Sequence, residues 1–215
     1  MDKGNTKREI ITAALDLFST QGFEATSISQ IADAVGIRKA SLYSHFESKQ
    51  AILDQLILQV LEGYAKQSLF AKSKRQVGDD ACPITCDEVV SQVKSQIYYI
   101  LHDPFISKAR KMLTIEQFRN PELAALQTKQ NYTDVMRYFT DLVICLQEQG
   151  VLCEGDCQIM ATQFCLPITV LINLCDREPD REAEVMELVD KHIRQFLQRT
   201  GEIKKEKING KQYRN

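Results

Sequence analysis

Apolar residues recur at helical spacing along most of this chain, and the runs break at glycine, proline and capping residues. Ile10, Ala14, Leu17 and Phe18 share one helical face, preceded by the capping-box string Thr6-Lys7-Arg8-Glu9 and followed by a stop at Gly22. Ser27-Ile28-Ser29-Gln30 repeats the capping-box form, with Ile28, Ile31, Ala32 and Val35 on one face and Gly36 at the end. This second helix is only about two to three turns long. In the next segment, Ile37 to Phe46, Leu42 and Phe46 fall on one face and the opposite face is almost entirely polar. Ser48 caps a fourth helix, continued by Ile52, Leu53, Leu56, Ile57, Val60, Leu61 and Tyr64.

Between Ala71 and Cys86 the periodicity fails: Lys72, Ser73, Lys74, Arg75, Gly78, Asp79, Asp80 and Pro83 are loop chemistry, and a flexible connection is expected. Thr85 with Glu88 then opens a helix to about His102, carrying Val89, Val93, Ile97 and Ile100. Asp103-Pro104 and Asn120-Pro121 each pair an N-cap residue with proline at the first helical position, opening two more helices, the second ending at Gly150. Asp156 caps an apolar helix to about Cys175, and Pro179-Asp180 opens a last one with Val185, Leu188, Val189, Ile193 and Leu197 on its face. The pattern predicts an all-α fold of about nine helices and no strand.

Composition changes this picture little. The 215 residues are 44% hydrophobic and 26% charged, an ordinary globular balance, and a net charge of −2 gives no whole-chain support for a nucleic-acid partner. Charge is therefore informative only locally. Arg199, Lys204, Lys205, Lys207, Lys211 and Arg214 outnumber Glu202 and Glu206 at the C-terminal end, which reads as a frayed, solvated tail rather than a DNA-touching arm. No export signal is legible at the N-terminus, because Ile10 to Phe18 is interrupted by Asp16 and lacks a cleavage site, so a cytoplasmic protein is expected. The apolar stretch from Phe164 to Cys175 falls short of the roughly 20 residues that cross a bilayer, and reads as a buried helix with no membrane partner.

Two short helices about a glycine turn, the second with a polar outer face, form a helix-turn-helix pattern. On that reading Arg38 and Lys39 reach guanine acceptors or phosphates, and Ser41, Ser44 and His45 bond bases or backbone. Thr26 and Ser27, at the positive end of the second helix, are placed to hold a phosphate, as is Lys49 from the other side. In isolation these residues would be an ordinary solvated face; it is the surrounding pattern that gives them a role.

The ordered run Gly22-Phe23, Thr26-Ser27-Ile28, Ile31-Ala32, Val35-Gly36-Ile37, Lys39, Leu42-Tyr43, His45-Phe46 and Lys49 closely resembles the TetR family of bacterial regulators, over roughly residues 6–55. The resemblance implies a helix-turn-helix DNA-binding domain (residues 1–50) and a ligand-binding and dimerisation domain (51–200), to which the local charge adds a basic, disordered tail (201–215). It further implies phosphate contacts from Tyr43 and Lys49, and a groove-facing set of Arg38, Lys39, Ser41 and His45. Arg38 stands where family members often carry Ser or Thr; Ala40, where they commonly carry Gly, marks the closest approach of backbone to DNA.

Beyond residue 55 the chemistry is sparser. Pro167 frees a backbone carbonyl that either shapes a ligand cavity or kinks a packed helix. Tyr98, Tyr99, Phe105, Phe118, Tyr132, Tyr138 and Phe139 lie in helices that would surround a cavity, without marking which of them line it. Cys82 and Cys86, and Cys153 and Cys157, are spaced four apart, wider than the common zinc spacing, so no metal and no cofactor is expected; Cys145, Cys165 and Cys175 read as small apolar fillers. Three scattered histidines, and the absence of a nucleophile elbow, a phosphate-binding glycine loop or a His-Glu-x-x-His string, argue against an enzyme. The sequence thus reads as a transcription regulator, in all expectation a repressor. By the resemblance, its partners would be double-stranded DNA carrying a palindromic operator, a second copy of the chain paired through residues about 156–175 and 180–198, and a small-molecule effector whose identity the sequence does not disclose.

Overall fold

A computed structural model describes residues 3–67 and 85–210. The regular elements among the described residues are all helical, without a strand. The helices are α1 (Lys3–Gln21), α2 (Ile28–Val35), α3 (Lys39–Tyr43), α4 (Lys49–Gln67), α5 (Cys86–His102), α6 (Pro104–Glu116), α7 (Pro121–Thr128), α8 (Asp134–Glu148), α9 (Cys157–Arg177) and α10 (Glu182–Gly210). A π-helical turn, Lys129–Thr133, joins α7 to α8, and a 3-10 turn, Pro179–Arg181, precedes α10.

Most predicted caps are where the sequence puts them. The Ser27 hydroxyl accepts from the Gln30 N–H while the Gln30 side chain accepts from the Ser27 N–H, a complete capping box, and Gly36 closes α2 at φ +74°. Thr85 and Glu88 form the same reciprocal pair at α5. Asp103, Asn120 and Asp156 each accept from free N–H groups at the start of α6, α7 and α9. The Ser48 hydroxyl accepts from the Ala51 N–H at the start of α4.

Four expectations need correction. Helix α1 already runs from Lys3, so Thr6 is a buried residue inside it rather than its cap, and Glu9 accepts from the Asn5 side chain one turn back. The single helix expected from Pro121 to Gly150 is interrupted by the π turn at 129–133, which places the polar Gln130 among buried residues. Helix α10 continues to Gly210, well past residue 200 where a disordered tail was expected to begin; Thr200 to Gly210 is interrupted only by Gly201, and its Glu and Lys residues favour helix. The last correction concerns α9, whose 21 residues are long and apolar enough to cross a membrane by length and composition alone, although it packs against α8 and α10 as part of a core. Only 28% of its most apolar stretch is buried. The loop predicted around 71–86, with Cys82, lies almost wholly outside the described residues.

Two compact units form. Among the described residues, the first comprises residues 3–67 and 102–128, the second 85–101 and 129–210. This division differs from the boundary expected at residue 50, because α4 and α6 share the core of the helix-turn-helix. In that core Ile10, Ala14 and Phe18 of α1, Ile31 of α2, Leu42 of α3 and Leu53 and Leu56 of α4 pack with Ala109, Met112 and Leu113 of α6. The edge of the Phe23 ring meets Phe18 at 5.2 Å between centroids.

The second unit is built around Phe164 of α9. Its ring meets Phe139 of α8 at 5.0 Å and Phe196 of α10 at 5.2 Å. His192 Nε2 lies 2.8 Å from the Phe164 carbonyl, which can only accept, so that nitrogen carries the proton. Val89, Val93 and Ile97 of α5 and Val185, Val189 and Ile193 of α10 complete the core. Cys165 and Cys175 are buried within it as expected, and burial pushes the Cys165 thiol up to about 11.

Candidate nucleic-acid interface

The outer surface of the helix-turn-helix is assembled by three short elements. Helix α3 has only five residues, too few to hold together alone, so it is fixed by Leu42 and Phe46, whose side chains are buried in the first unit. With those two turned inward, Arg38, Lys39, Ala40, Ser41, Tyr43 and Ser44 are exposed and His45 is half-buried. The predicted residues from Arg38 to His45 thus lie on the outer side of α3 and the residues flanking it. Arg38 occupies the N-cap position of α3 with no side-chain capping bond, so its guanidinium is not used to close the helix. Ser44 donates to the Ser41 carbonyl at 2.7 Å, tightening the end of the same turn.

Helix α2 packs against α3, and its amino end is also exposed. Ser27 is exposed and its hydroxyl caps Gln30, while the N–H groups of Ile28 and Ser29 precede the first intrahelical bond. Backbone donors at such a position, with the helix dipole behind them, favour an anion. Thr26 sits differently. Its side chain is 1% exposed, and its hydroxyl donates to the Gly22 carbonyl at 2.7 Å and accepts from Gln21 Nε2 at 3.0 Å.

Lys49 is likewise engaged inside the protein. Its ammonium donates to the carbonyls of Phe23 at 2.6 Å and Thr26 at 2.9 Å, and lies 4.2 Å from the centre of the Phe23 ring. In this arrangement Lys49 holds the α1–α2 turn. A residue that periodicity did not single out holds the same turn from another helix: Glu116, 1% exposed, accepts from the Phe23 N–H at 2.8 Å. The available signal was a carboxylate in core register, since Glu116 continues the buried positions Ala109, Met112 and Leu113 of α6.

Of the aromatic residues considered for a cavity, Phe139 is buried and Tyr138 packs edge-on against it, whereas Phe118, Tyr98 and Tyr132 are exposed. The second unit does contain a cavity of about 310 Å³, lined by Cys86, Val89, Leu146, Val151, Leu197 and Gln198. Among the described residues, no three His, Cys, Asp or Glu side chains are grouped to hold a metal ion.

Comparison with known proteins bears on the same surface. Residues 10–56 match the family model described as bacterial regulatory proteins, tetR family. The chain is 26% identical over 181 residues to the HTH-type transcriptional regulator UidR of Escherichia coli (strain K12), covering 83% of this chain and 86% of that one. It is 47% identical over 51 residues to IcaR of Staphylococcus aureus (strain Newman), a likeness confined to 24% of this chain and 27% of that one. The crystal structure of PfmR, a TetR family transcriptional regulator from Thermus thermophilus, superposes with a TM-score of 0.60 at 25% identity, covering 88% of this chain and 97% of that one. The capped α2, the polar outer face over the buried Leu42 and Phe46, and the match over residues 10–56 identify the first part of this chain as a tetR-family helix-turn-helix, in a chain similar over most of its length to HTH-type transcriptional regulators.

Proposed function

We propose that the protein is a homodimeric repressor that holds a palindromic operator and releases it when a small molecule binds the second unit. The observation that carries this reading is the exposed face of α3, where Arg38, Lys39, Ser41 and Tyr43 stand over the buried Leu42. Arg38 and Lys39 are the proposed base readers, Ser41, Ser44 and His45 contribute base or backbone bonds, and Tyr43 meets a phosphate. A second phosphate meets the N–H groups at the amino end of α2, with Ser27 beside it. Ala40 marks the closest backbone approach. Thr26 and Lys49 act on DNA indirectly, by holding the turn.

Pairing of two copies is supported by apolar side chains left uncovered on α9 and α10: Ile159 is 53% exposed, Val170 65% and Leu188 41%. Ile159 and Val170 are three helical turns apart and so share a face. Two such subunits on B-DNA would offer recognition helices about 34–36 Å apart. Repression as the sign of regulation draws support from IcaR, which is named a negative regulator. The apolar cavity of the second unit supports an effector of modest size and low polarity. Effector and operator would then weaken one another reciprocally. Action on a bacterial chromosome agrees with a cytoplasmic place.

The test is selection of bound duplexes from a random pool by the purified full-length protein, then affinity against salt for the winners. A palindrome with a steep salt slope is the expected result. Recovery of no enriched sequence from folded dimer would refute the reading.

A further inference from the structure

The α1–α2 turn is restrained by two charged groups arriving from opposite ends of the sequence. Lys49, at the start of α4, takes the carbonyls of Phe23 and Thr26. Glu116, at the last position of α6 and 93 residues from its partner, takes the Phe23 N–H. A carboxylate in core register is costly to bury unless charge-assisted hydrogen bonds compensate it. The turn is also shaped to admit it: a Cβ on Gly22 would lie 2.8 Å from Glu116 Oε1 and 3.3 Å from Ile115 Cγ2. At φ +87° that glycine occupies backbone space that side-chain-bearing residues rarely adopt. With its N–H fixed by Glu116, its carbonyls by Lys49 and the Thr26 hydroxyl on the Gly22 carbonyl, the turn has one orientation, and α2 starts immediately after it.

We propose that Glu116 is a positioning residue for DNA binding: through the Phe23 N–H it sets the α1–α2 turn, and with it the amino end of α2 that meets an operator phosphate. This rests on the DNA-contact reading above. Apolar packing alone would hold α1 against α6; a buried charge aimed at one backbone donor fixes an angle as well as a distance. The proposal makes part of the DNA-binding geometry depend on α6, a helix outside the residues matched by the family model.

Full-length wild type, Glu116→Ala, Glu116→Gln and Gly22→Ala would be compared on the duplex selected by wild type. Circular dichroism and sedimentation would report folding and dimerisation. In protein labelled with 15N-phenylalanine, the Phe23 amide is identified among nine phenylalanines by its loss in Phe23→Tyr. Glu116→Ala is expected to retain helix content and dimer, to shift the Phe23 amide, and to bind the duplex at least about tenfold more weakly. Glu116→Gln keeps an acceptor oxygen and is expected to hold the Phe23 amide near its wild-type position with affinity within about threefold. Gly22→Ala should weaken binding as Glu116→Ala does.

Wild-type affinity in a folded Glu116→Ala would overturn the proposal. If Glu116→Ala does not fold, Glu116→Gln decides: loss of the Phe23 amide signature without loss of affinity overturns the proposal, and retention of both supports it. A wild type that selects no duplex at all would instead overturn the DNA-contact reading on which the proposal stands.

Discussion

The two units use their polar groups differently. In the first, ionic side chains reach across long sequence separations to single backbone atoms: Glu116 to the Phe23 N–H, Lys49 to the Phe23 and Thr26 carbonyls. A side-chain ion pair at the surface, between Lys108 of α6 and Asp16 of α1, also spans a long separation in sequence. In the second, ion pairs such as those of Arg194 with Asp87 and Asp190, and of Arg181 with Glu178 and Glu184, lie on exposed or partly exposed side chains, while the interior is built from Phe164 and its apolar neighbours. The difference fits the roles proposed for the two units. Short helices such as α3 need outside restraint to keep a fixed surface toward a rigid partner, whereas a packed interior with few polar constraints tolerates rearrangement around a ligand.

The comparison can be broken most severely at the centre of the second unit. Phe164→Ala removes the ring shared by α8, α9 and α10 and should cost about 3–5 kcal/mol, read by chemical denaturation. A loss under about 1 kcal/mol would mean that the apolar centre lies elsewhere. Next in size is the proposed pairing face. Val170→Asp should leave a folded monomer in sedimentation and lower operator affinity by about 10²–10⁴-fold, as the second half-site contact is lost. An unchanged dimer would remove α9 from the interface.

A smaller effect is expected at the head of α2. Ser27→Ala breaks the capping box and should cost about 1 kcal/mol of stability, with operator affinity falling further than stability alone explains if the free N–H groups hold a phosphate. Equal small losses in both would reduce Ser27 to a cap. Smallest of all, Arg194→Ala should leave the denaturation midpoint unchanged at physiological salt, because exposed ion pairs are screened. A clear destabilisation would show that the second unit relies on charge after all.

How much of this was legible follows the same division. Ser27 with Gln30, Thr85 with Glu88, and the Asp103-Pro104 step act over three residues or fewer, so their geometry is written where it occurs. The polar face of α3 was readable because Leu42 and Phe46 fall one helical turn apart. What was not readable depends on distant partners. Nothing near Glu116 announces the Phe23 N–H, nothing near Lys49 announces two carbonyls, and the spacing around Gln130 gives no warning of a π turn. The inclusion of α6 with the helix-turn-helix is of that kind too, since it arises from Ala109, Met112 and Leu113 meeting a core most of whose other members are in the first sixty residues.

The central claim is that α3 reads bases, and Arg38→Ala against the selected operator tests it most directly. Affinity would be measured for wild type and variant on the operator and on duplexes changed at each single position. The account predicts a loss of about 1–3 kcal/mol on the operator, with discrimination relaxed at one base pair of each half-site and kept at the others. A loss shared equally by every duplex would assign Arg38 to the phosphate backbone, and no loss at all would contradict the placement of α3 in the groove.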